Sequence, residues 1–405
     1  VNITYDRARA LLADYGSPLF CIDQAKLIEN SLAFRNCFTK HWRKTTVNYS
    51  VKTNYNPWIV KTLNENGFPP EIISGFEIDL LEMLGITGKI IVNGPAKTSD
   101  ELGQCIQRGH IIQVDNLDEL SRILKKTNEL DKSCEIALRI RPDNESWKRF
   151  GFDTNSENWM TALKHIDKSD YINLIGLHIH AGTSILDTNK YKQFANQMLS
   201  VAMSLPISLK YLNLGGGFPT ESARLNNYKA EDWKVPKIEE YAEIICTALQ
   251  PYLEKFKCRL FLEPGRALVD ESVFLLSSIV SIEKNRIIID AGKNILPSIQ
   301  YRVHPIRNIS ENCNNRNVRV NEDKFDIFGP LCMGSDCLAE QVALQPPNMN
   351  DIFQIGSVGA YCESQSMSFI KYPPASVVLN GEKDFLVSSR KNLKSLFSNT
   401  IPDTK

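Results

Sequence analysis

The stretch Asn48-Tyr49-Ser50-Val51-Lys52-Thr53-Asn54 reads as a short apolar β-like run that stops at Lys52, after which Asn54-Tyr55-Asn56-Pro57 opens a helix. It is the first of eight such runs; the others fall at residues 72–73, 90–92, 111–114, 136–140, 174–179, 211–214 and 260–262. Segments with helical periodicity lie between them, among them 116–130, 190–204 and 237–256. Gly67, Gly85, Gly88 and Gly109 punctuate the junctions. Eight strands alternating with helices predict an α/β fold, a (β/α)8 TIM barrel. An open doubly wound sheet fits less well, because no G-x-G-x-x-G follows an early strand.

Upstream of this rhythm, residues 18–23 read as a strand and 24–40 as a helix. After about Ala267 the helical periodicity fades. Residues 268–282, 287–289, 325–328, 351–357 and 376–379 read as strands, and the loops carry asparagine-rich text at 308–315. The expectation is a barrel over 23–267 and a second, mostly β domain over 268–405, with 1–22 contributing a strand to the latter. The polar tail Thr400–Lys405 is the one candidate for low complexity.

A chain of 405 residues is long enough for two domains, and 42% hydrophobic with 23% charged residues is the balance of an ordinary globular protein. Lys plus Arg and Asp plus Glu number 47 each, so charge points to neither nucleic acid nor an anionic membrane. No apolar run is long enough to span a bilayer, and the first residues lack the apolar core of a signal peptide. The ten cysteines include no C-x-x-C pair, which argues against a zinc knuckle or a disulfide framework. No metal site is expected, and a reducing, cytoplasmic compartment is.

Polar, charged and glycine residues gather at the same end of the eight runs. Lys52 follows the first, Ser74-Gly75-Phe76-Glu77 the second, Asn93-Gly94-Pro95-Ala96-Lys97 the third and Asp115-Asn116 the fourth. Arg139 and Arg141 close the fifth, and His178-Ile179-His180-Ala181-Gly182-Thr183-Ser184 ends the sixth. Gly215-Gly216-Gly217-Phe218 follows the seventh and Glu263-Pro264-Gly265-Arg266 the eighth. In a barrel these ends converge on one mouth, where such folds build their sites.

The residue types at that mouth suggest a chemistry. A lysine closing a buried strand is dehydrated, which disfavours the ammonium form and leaves an amine able to attack an aldehyde. Alone, Lys52 also fits a surface lysine at a strand edge, and His180 a structural histidine. Gly215, Gly216 and Gly217 let backbone N–H groups approach an anion, Gly265 and Arg266 add a donor and a guanidinium, and Thr183 offers a hydroxyl. A carboxylate such as Glu263 keeps a pyridine nitrogen protonated, and an imidazole stacks on the ring. Lysine, carboxylate and phosphate cradle together describe pyridoxal 5'-phosphate.

From about Pro18 to Gly381 the chain resembles the fold type III pyridoxal-phosphate decarboxylases, the diaminopimelate/ornithine decarboxylase family. Tyr49-Ser50-Val51-Lys52-Thr53-Asn54 is similar to its Y-A-V-K-A-N, which implies that Lys52 carries the cofactor. The segment from Gly176 to Thr183 resembles H-x-H-x-G-S, with His180 as the ring-stacking histidine and Thr183 where a serine meets the phosphate. The triple glycine and Glu263-Pro264-Gly265-Arg266 match, and Glu71 stands where the family usually has aspartate. Arg139 joins the expected cofactor-binding set. Gly329-Pro330-Leu331-Cys332-Met333-Gly334-Ser335-Asp336 looks like G-P-x-C-x-x-x-D, which in the family reaches into a partner subunit's site, the cysteine delivering a proton to the product carbanion. Gly359-Ala360-Tyr361 matches G-A-Y, whose tyrosine lies by the cofactor.

The resemblance implies a two-domain, alanine-racemase-like decarboxylase, a homodimer with shared sites and catalytic residues Lys52, His180, Glu263 and Cys332. Met333, Asp336 and Tyr361 are the expected substrate contacts. Two departures bear on the substrate. Met333 replaces the acidic residue after the cysteine, and Leu296 stands where the diaminopimelate enzyme has arginine in R-P-A-L-Y. The site is thus similar to relatives in antibiotic and siderophore pathways that act on modified, conjugated or carrier-bound amino acids. The alternatives are a diaminopimelate, ornithine or lysine decarboxylase, an amino-acid racemase, and a non-catalytic regulator of a decarboxylase.

Overall fold

The computed structural model describes residues 3–142, 148–180, 182–309, 323–349, 351–381 and 383–399. The tail Thr400–Lys405, residues 310–315 of the asparagine-rich loop and Ala181 lie outside these. The chain divides into two compact units. One comprises Asn30–Pro219 and Lys234–Leu268; the other takes residues 1–29, 220–233 and 269–405. Residues 220–233, expected within the barrel, group with the β-rich unit because Arg224–Leu225 pairs antiparallel with Arg302–Val303.

The first unit is the parallel barrel. Its strands run in the order Thr45–Val47, Arg259–Leu262, Tyr211–Asn213, Ile172–His178, Cys134–Arg139, Ile111–Val114, Ile91–Val92, Pro70–Ile72 and Tyr49–Ser50. The first and last of these are halves of one strand divided by Asn48. The amide of Asn48 still bonds Leu262 O at 2.7 Å, whereas that of Tyr49 bonds Pro69 O at 2.8 Å. The chain changes neighbours at that residue, and this closes the sheet on itself as an eight-stranded barrel.

Several of the strands lead into helices with local signals for their start. Pro57–Glu65 has proline in its first turn, and the Asn56 side chain accepts the Trp58 amide. Ser99–Arg108 carries a capping box between Thr98 and Glu101 and ends on Gly109 at φ 70°. Leu117–Leu130 is capped by Asn116 and buries Leu120, Ile123 and Thr127 on one face. The helices Gly75–Met83, Glu157–Asp167, Thr188–Ser204 and Ile238–Phe256 complete the rhythm. Part of the outer core is aromatic. Phe218 stacks on Tyr191 at 4.9 Å and meets Phe34 edge-on at 5.0 Å, and each such buried ring contributes about 1.5–3 kcal/mol.

The second unit is a mixed sheet in the order Cys337–Leu344, Asp323–Phe328, Arg286–Ile289, Val273–Glu283, Leu19–Asp23, Ala375–Leu379 and Phe385–Ser388. Leu19–Asp23 lies antiparallel to Val273–Glu283 and parallel to Ala375–Leu379. The strand expected from residue 268 begins only at Val273. The chain first forms a helical turn, Arg266–Val269, and then a 3-10 turn, Asp270–Ser272. Asp270 causes this detour. Its buried carboxylate accepts two hydrogen bonds from Arg302, at 2.6 and 3.1 Å, and one from the Thr220 hydroxyl at 2.7 Å.

Among the described residues no helix is long and apolar enough to cross a membrane.

Candidate active site

The barrel's C-terminal strand ends place Lys52 in the 3-10 turn Val51–Thr53. Its Nζ donates to Ser50 Oγ at 2.8 Å and lies 3.4 Å from Glu71 Oε2 on the neighbouring strand. The expected dehydration falls on the wrong member of this pair. The Lys52 side chain keeps 37% of its surface, whereas Glu71 has none. Burial therefore raises the pKa of Glu71, Lys52 lowers it, and the proximity of Glu263 raises it again. Among the described residues Oε1 of Glu71 has no hydrogen-bond partner.

Glu263 follows strand Arg259–Leu262 and is 3% exposed. It accepts hydrogen bonds from Asn213 at 2.6 Å, Gln113 at 2.8 Å and Asn93 at 3.2 Å, and lies 3.4 Å from His178 Nε2. Burial first, then Arg139, hold His178 well below the usual imidazole range, so it is neutral. His180 is lowered by the same two causes in the same order, and its Nδ1 accepts the Gly216 amide at 3.3 Å, which places the ring proton on Nε2. Arg139 closes strand Cys134–Arg139, donates to Asp115 at 3.0 Å and stacks over Phe150 at 4.5 Å.

The glycine cradle is built against its neighbours. A Cβ at Gly217, which has φ +99°, would stand 2.4 Å from Gly182 O; one at Gly216 would stand 2.4 Å from Glu263 O. At Gly265 it would meet Thr53 Oγ1 at 1.8 Å. The loops after strands one, six, seven and eight are thus drawn together around bare backbone, with Thr183 exposed beside them and Arg266 buried.

Bringing together an amine, a buried carboxylate held by neutral donors, a fixed neutral imidazole and a backbone cradle that excludes Cβ atoms fits pyridoxal phosphate. The amine suits an aldehyde, the cradle a phosphate and the carboxylate a pyridine nitrogen.

The remaining expected residues belong to the β unit. Tyr361 adopts φ +62° at the Gly359-Ala360 turn, whose two amides bond Asp270 O at 3.1 Å and Asp270 Oδ1 at 3.2 Å. Cys332 is exposed, and Met333 is 43% exposed. Asp336 departs from expectation. It is 2% exposed, and its two oxygens accept the amides of Lys293 at 2.6 Å and Leu331 at 2.8 Å. It packs so close to Gly292 and Gly329 that neither position has room for a Cβ. In this unit it clamps the Cys332 loop and presents no open carboxylate to a substrate. Leu296 is fully buried, so it packs the core and lines no surface.

Sequence reasoning missed the donors around Glu263. Gln113 and Asn213 each interrupt an otherwise apolar strand run, Ile111-Ile112-Gln113-Val114 and Tyr211-Leu212-Asn213-Leu214. A lone amide at such a position must find a buried partner, and that was the available signal.

Comparison with known proteins agrees with this geometry. The pyridoxal binding domain of the pyridoxal-dependent decarboxylases matches residues 24–270. Diaminopimelate decarboxylase from Aquifex aeolicus is 28% identical, covering 95% of this chain and 91% of the relative. The Methanocaldococcus jannaschii enzyme of that name is 27% identical, covering 98% and 94%. The crystal structure of diaminopimelate decarboxylase from M. jannaschii superposes with a TM-score of 0.87 at 25% identity, covering 98% of this chain and 94% of that one. With more than half of its length matched by the family's cofactor-binding domain, the chain belongs to the pyridoxal-dependent decarboxylases, enzymes that use pyridoxal phosphate to remove a carboxylate from an amino acid.

Proposed function

We propose that the substrate is diaminopimelate or an amino acid of similar build. The observation that supports this is the near-full-length likeness, in both directions, to enzymes named diaminopimelate decarboxylase. These relatives favour that reading over the modified or carrier-bound amino acid suggested by Met333 and Leu296.

Bound pyridoxal phosphate supplies the electron sink that stabilises the carbanion left when CO2 departs. In our reading Lys52 is its anchor, and Glu71 takes and returns a proton beside the Lys52 amine. Gly215 to Gly217, Gly265, Arg266 and Thr183 hold the phosphate. Glu263 would serve the ring nitrogen as its carboxylate partner, and the neutral His180 imidazole would pack against the cofactor ring. Cys332, from a second copy of the chain, returns a proton to the product carbon. Tyr361 and Met333 stand at the substrate side.

A second reading keeps the reaction and changes the far end of the substrate. Met333 is an exposed thioether where the resemblance places a carboxylate, and a thioether cannot pair with a distal ammonium. Turnover of meso-diaminopimelate, ornithine, lysine and N-acylated analogues, with the product identified by mass spectrometry, separates the two. The first reading requires the highest kcat/KM for diaminopimelate. A preference of tenfold or more for an acylated or conjugated amino acid would overturn it in favour of the second.

A further inference from the structure

Three buried amide donors and the neutral His178 ring converge on Glu263 and divide unevenly between its oxygens. Oε1 accepts Asn213 Nδ2 at 2.6 Å and Gln113 Nε2 at 2.8 Å. Oε2 has only longer contacts, Asn93 Nδ2 at 3.2 Å and His178 Nε2 at 3.4 Å. Gln113, Asn213 and His178 have no exposed surface, and Asn93 has 6%. An amide N–H can only donate, so each bond it makes to a carboxylate oxygen favours the charged over the protonated form of that oxygen. The two short bonds fall on one atom.

The electrostatics of the pocket make this division consequential. Burial raises the pKa of Glu263, and Lys52, the two amides and Arg139 lower it. Glu71 adds a second buried carboxylate nearby, His178 is neutral, and burial holds the Tyr211 phenol protonated. Burial and the partly exposed Lys52 weigh most on the charge of Glu263 as a whole, and the two amides distinguish one of its oxygens from the other.

We propose that Gln113 and Asn213 are positioning residues that lock Oε1 of Glu263 as an ionised acceptor and confine its proton exchange to Oε2. This rests on the assignment of Glu263 to the cofactor's ring nitrogen. The two amides fix which oxygen is presented, and they keep the carboxylate from rotating to share a proton with Glu71.

The test is a cycle of four proteins: wild type, Asn213→Asp, Glu263→Gln and the double variant. Asn213→Asp replaces the donor on Oε1 by an acceptor of the same shape. Without cofactor, Asn213→Asp should lower Tm by about 5 °C or more. The double variant should recover at least half of that loss, because an amide at 263 can donate to the new acceptor. With pyridoxal phosphate bound, Asn213→Asp should shift the pH dependence of the visible absorbance by about one unit or more, since two facing carboxylates share a proton. It should lower kcat about tenfold or more and leave KM within about threefold. Gln113→Glu makes the same comparison if Asn213→Asp does not fold. Additive Tm losses in the double variant, or a folded Asn213→Asp with wild-type absorbance titration and kcat, would overturn the proposal. A coupled Tm cycle in a protein that takes up no pyridoxal phosphate would uphold the lock on Oε1 and sink the cofactor assignment instead. Normal loading with an additive cycle would do the reverse.

Discussion

Nζ of Lys52 stands 3.4 Å from Oε2 of Glu71, a carboxylate with no exposed surface on the adjacent barrel strand. The amine is the accessible partner and the acid the buried one. An amine is nucleophilic only after losing its proton, and a carboxylate whose pKa burial has raised is suited to receive it. Borohydride treatment of the purified protein should therefore fix pyridoxal phosphate to the peptide carrying Lys52. Glu71→Ala should still be labelled, at a rate lowered about tenfold or more. Labelling of a different lysine would refute the anchor, and an unchanged rate would refute the role of Glu71.

A second buried acid nearby gives a pH prediction. Glu77 is 2% exposed, its carboxylate accepts the Ile73 amide at 2.5 Å, and burial pushes its pKa up to about 7. The folded protein binds this proton more tightly than the unfolded chain does. Stability from this group is thus fully present below pH 4.5 and is lost as pH rises through about 7, a change on the order of 3 kcal/mol. Glu77→Gln removes the titration. The Tm of the variant minus that of wild type should rise steadily between pH 5 and pH 8; parallel Tm curves would show that Glu77 titrates normally.

The cradle predicts opposite outcomes for two glycines. Gly217→Ala places a methyl group 2.4 Å from Gly182 O at φ +99°, so it should weaken pyridoxal phosphate binding by about tenfold or more. Gly103 lies inside helix Ser99–Arg108, and its Cβ would touch only the Lys126 side chain at 3.9 Å. Gly103→Ala should raise stability by about 0.5–1 kcal/mol with unchanged cofactor binding. Equilibrium dialysis and thermal melts read both. Equal effects at the two positions would mean that the close approach at 217 is incidental.

The barrel was legible because each strand end carries polar residues and most helices carry their own caps, all signals within a few residues of sequence. Closure through Asn48 was not legible, since it depends on which neighbour each half-strand finds. Lys52, Glu263 and the triple glycine were readable as residue types. Their settings were not. The exposure of Lys52, the amides on Glu263 and the engagement of Asp336 by Lys293 and Leu331 are products of packing between segments far apart in the chain. Asp336 shows the limit best: a motif position implied a substrate contact, and the fold gives its oxygens to backbone amides.

If active sites are shared between two copies, complementation follows. Cys332 is exposed in the β unit, where Asp336 shapes its loop. Lys52→Ala and Cys332→Ala subunits, each inactive alone, should regain roughly a quarter of wild-type activity after mixing. Random exchange makes about half of the dimers mixed, and each mixed dimer holds one intact site of two. Activity absent after exchange has been verified by mass would place Lys52 and Cys332 of one chain in one site.

The last prediction concerns Met333. Its side chain is 43% exposed on the loop that carries Cys332, and Asp336 holds that loop through the amides of Lys293 and Leu331. A carboxylate introduced at 333 therefore enters a preformed loop and disturbs no core packing. If the loop meets the substrate's far end, a carboxylate there gains a charge-assisted hydrogen bond to a distal ammonium. Such a bond contributes about 1.5–3 kcal/mol, which is roughly a tenfold to hundredfold change in kcat/KM. Met333→Glu should accordingly raise kcat/KM for diaminopimelate, ornithine and lysine, and lower it for N-acylated analogues whose far end is neutral. The gain should lie mainly in KM, because the contact is equal in the ground and transition states. Steady-state kinetics on the four substrates decide the matter. Unchanged values for all of them would show that position 333 does not touch the substrate, and the reading of the far end from this residue would fall.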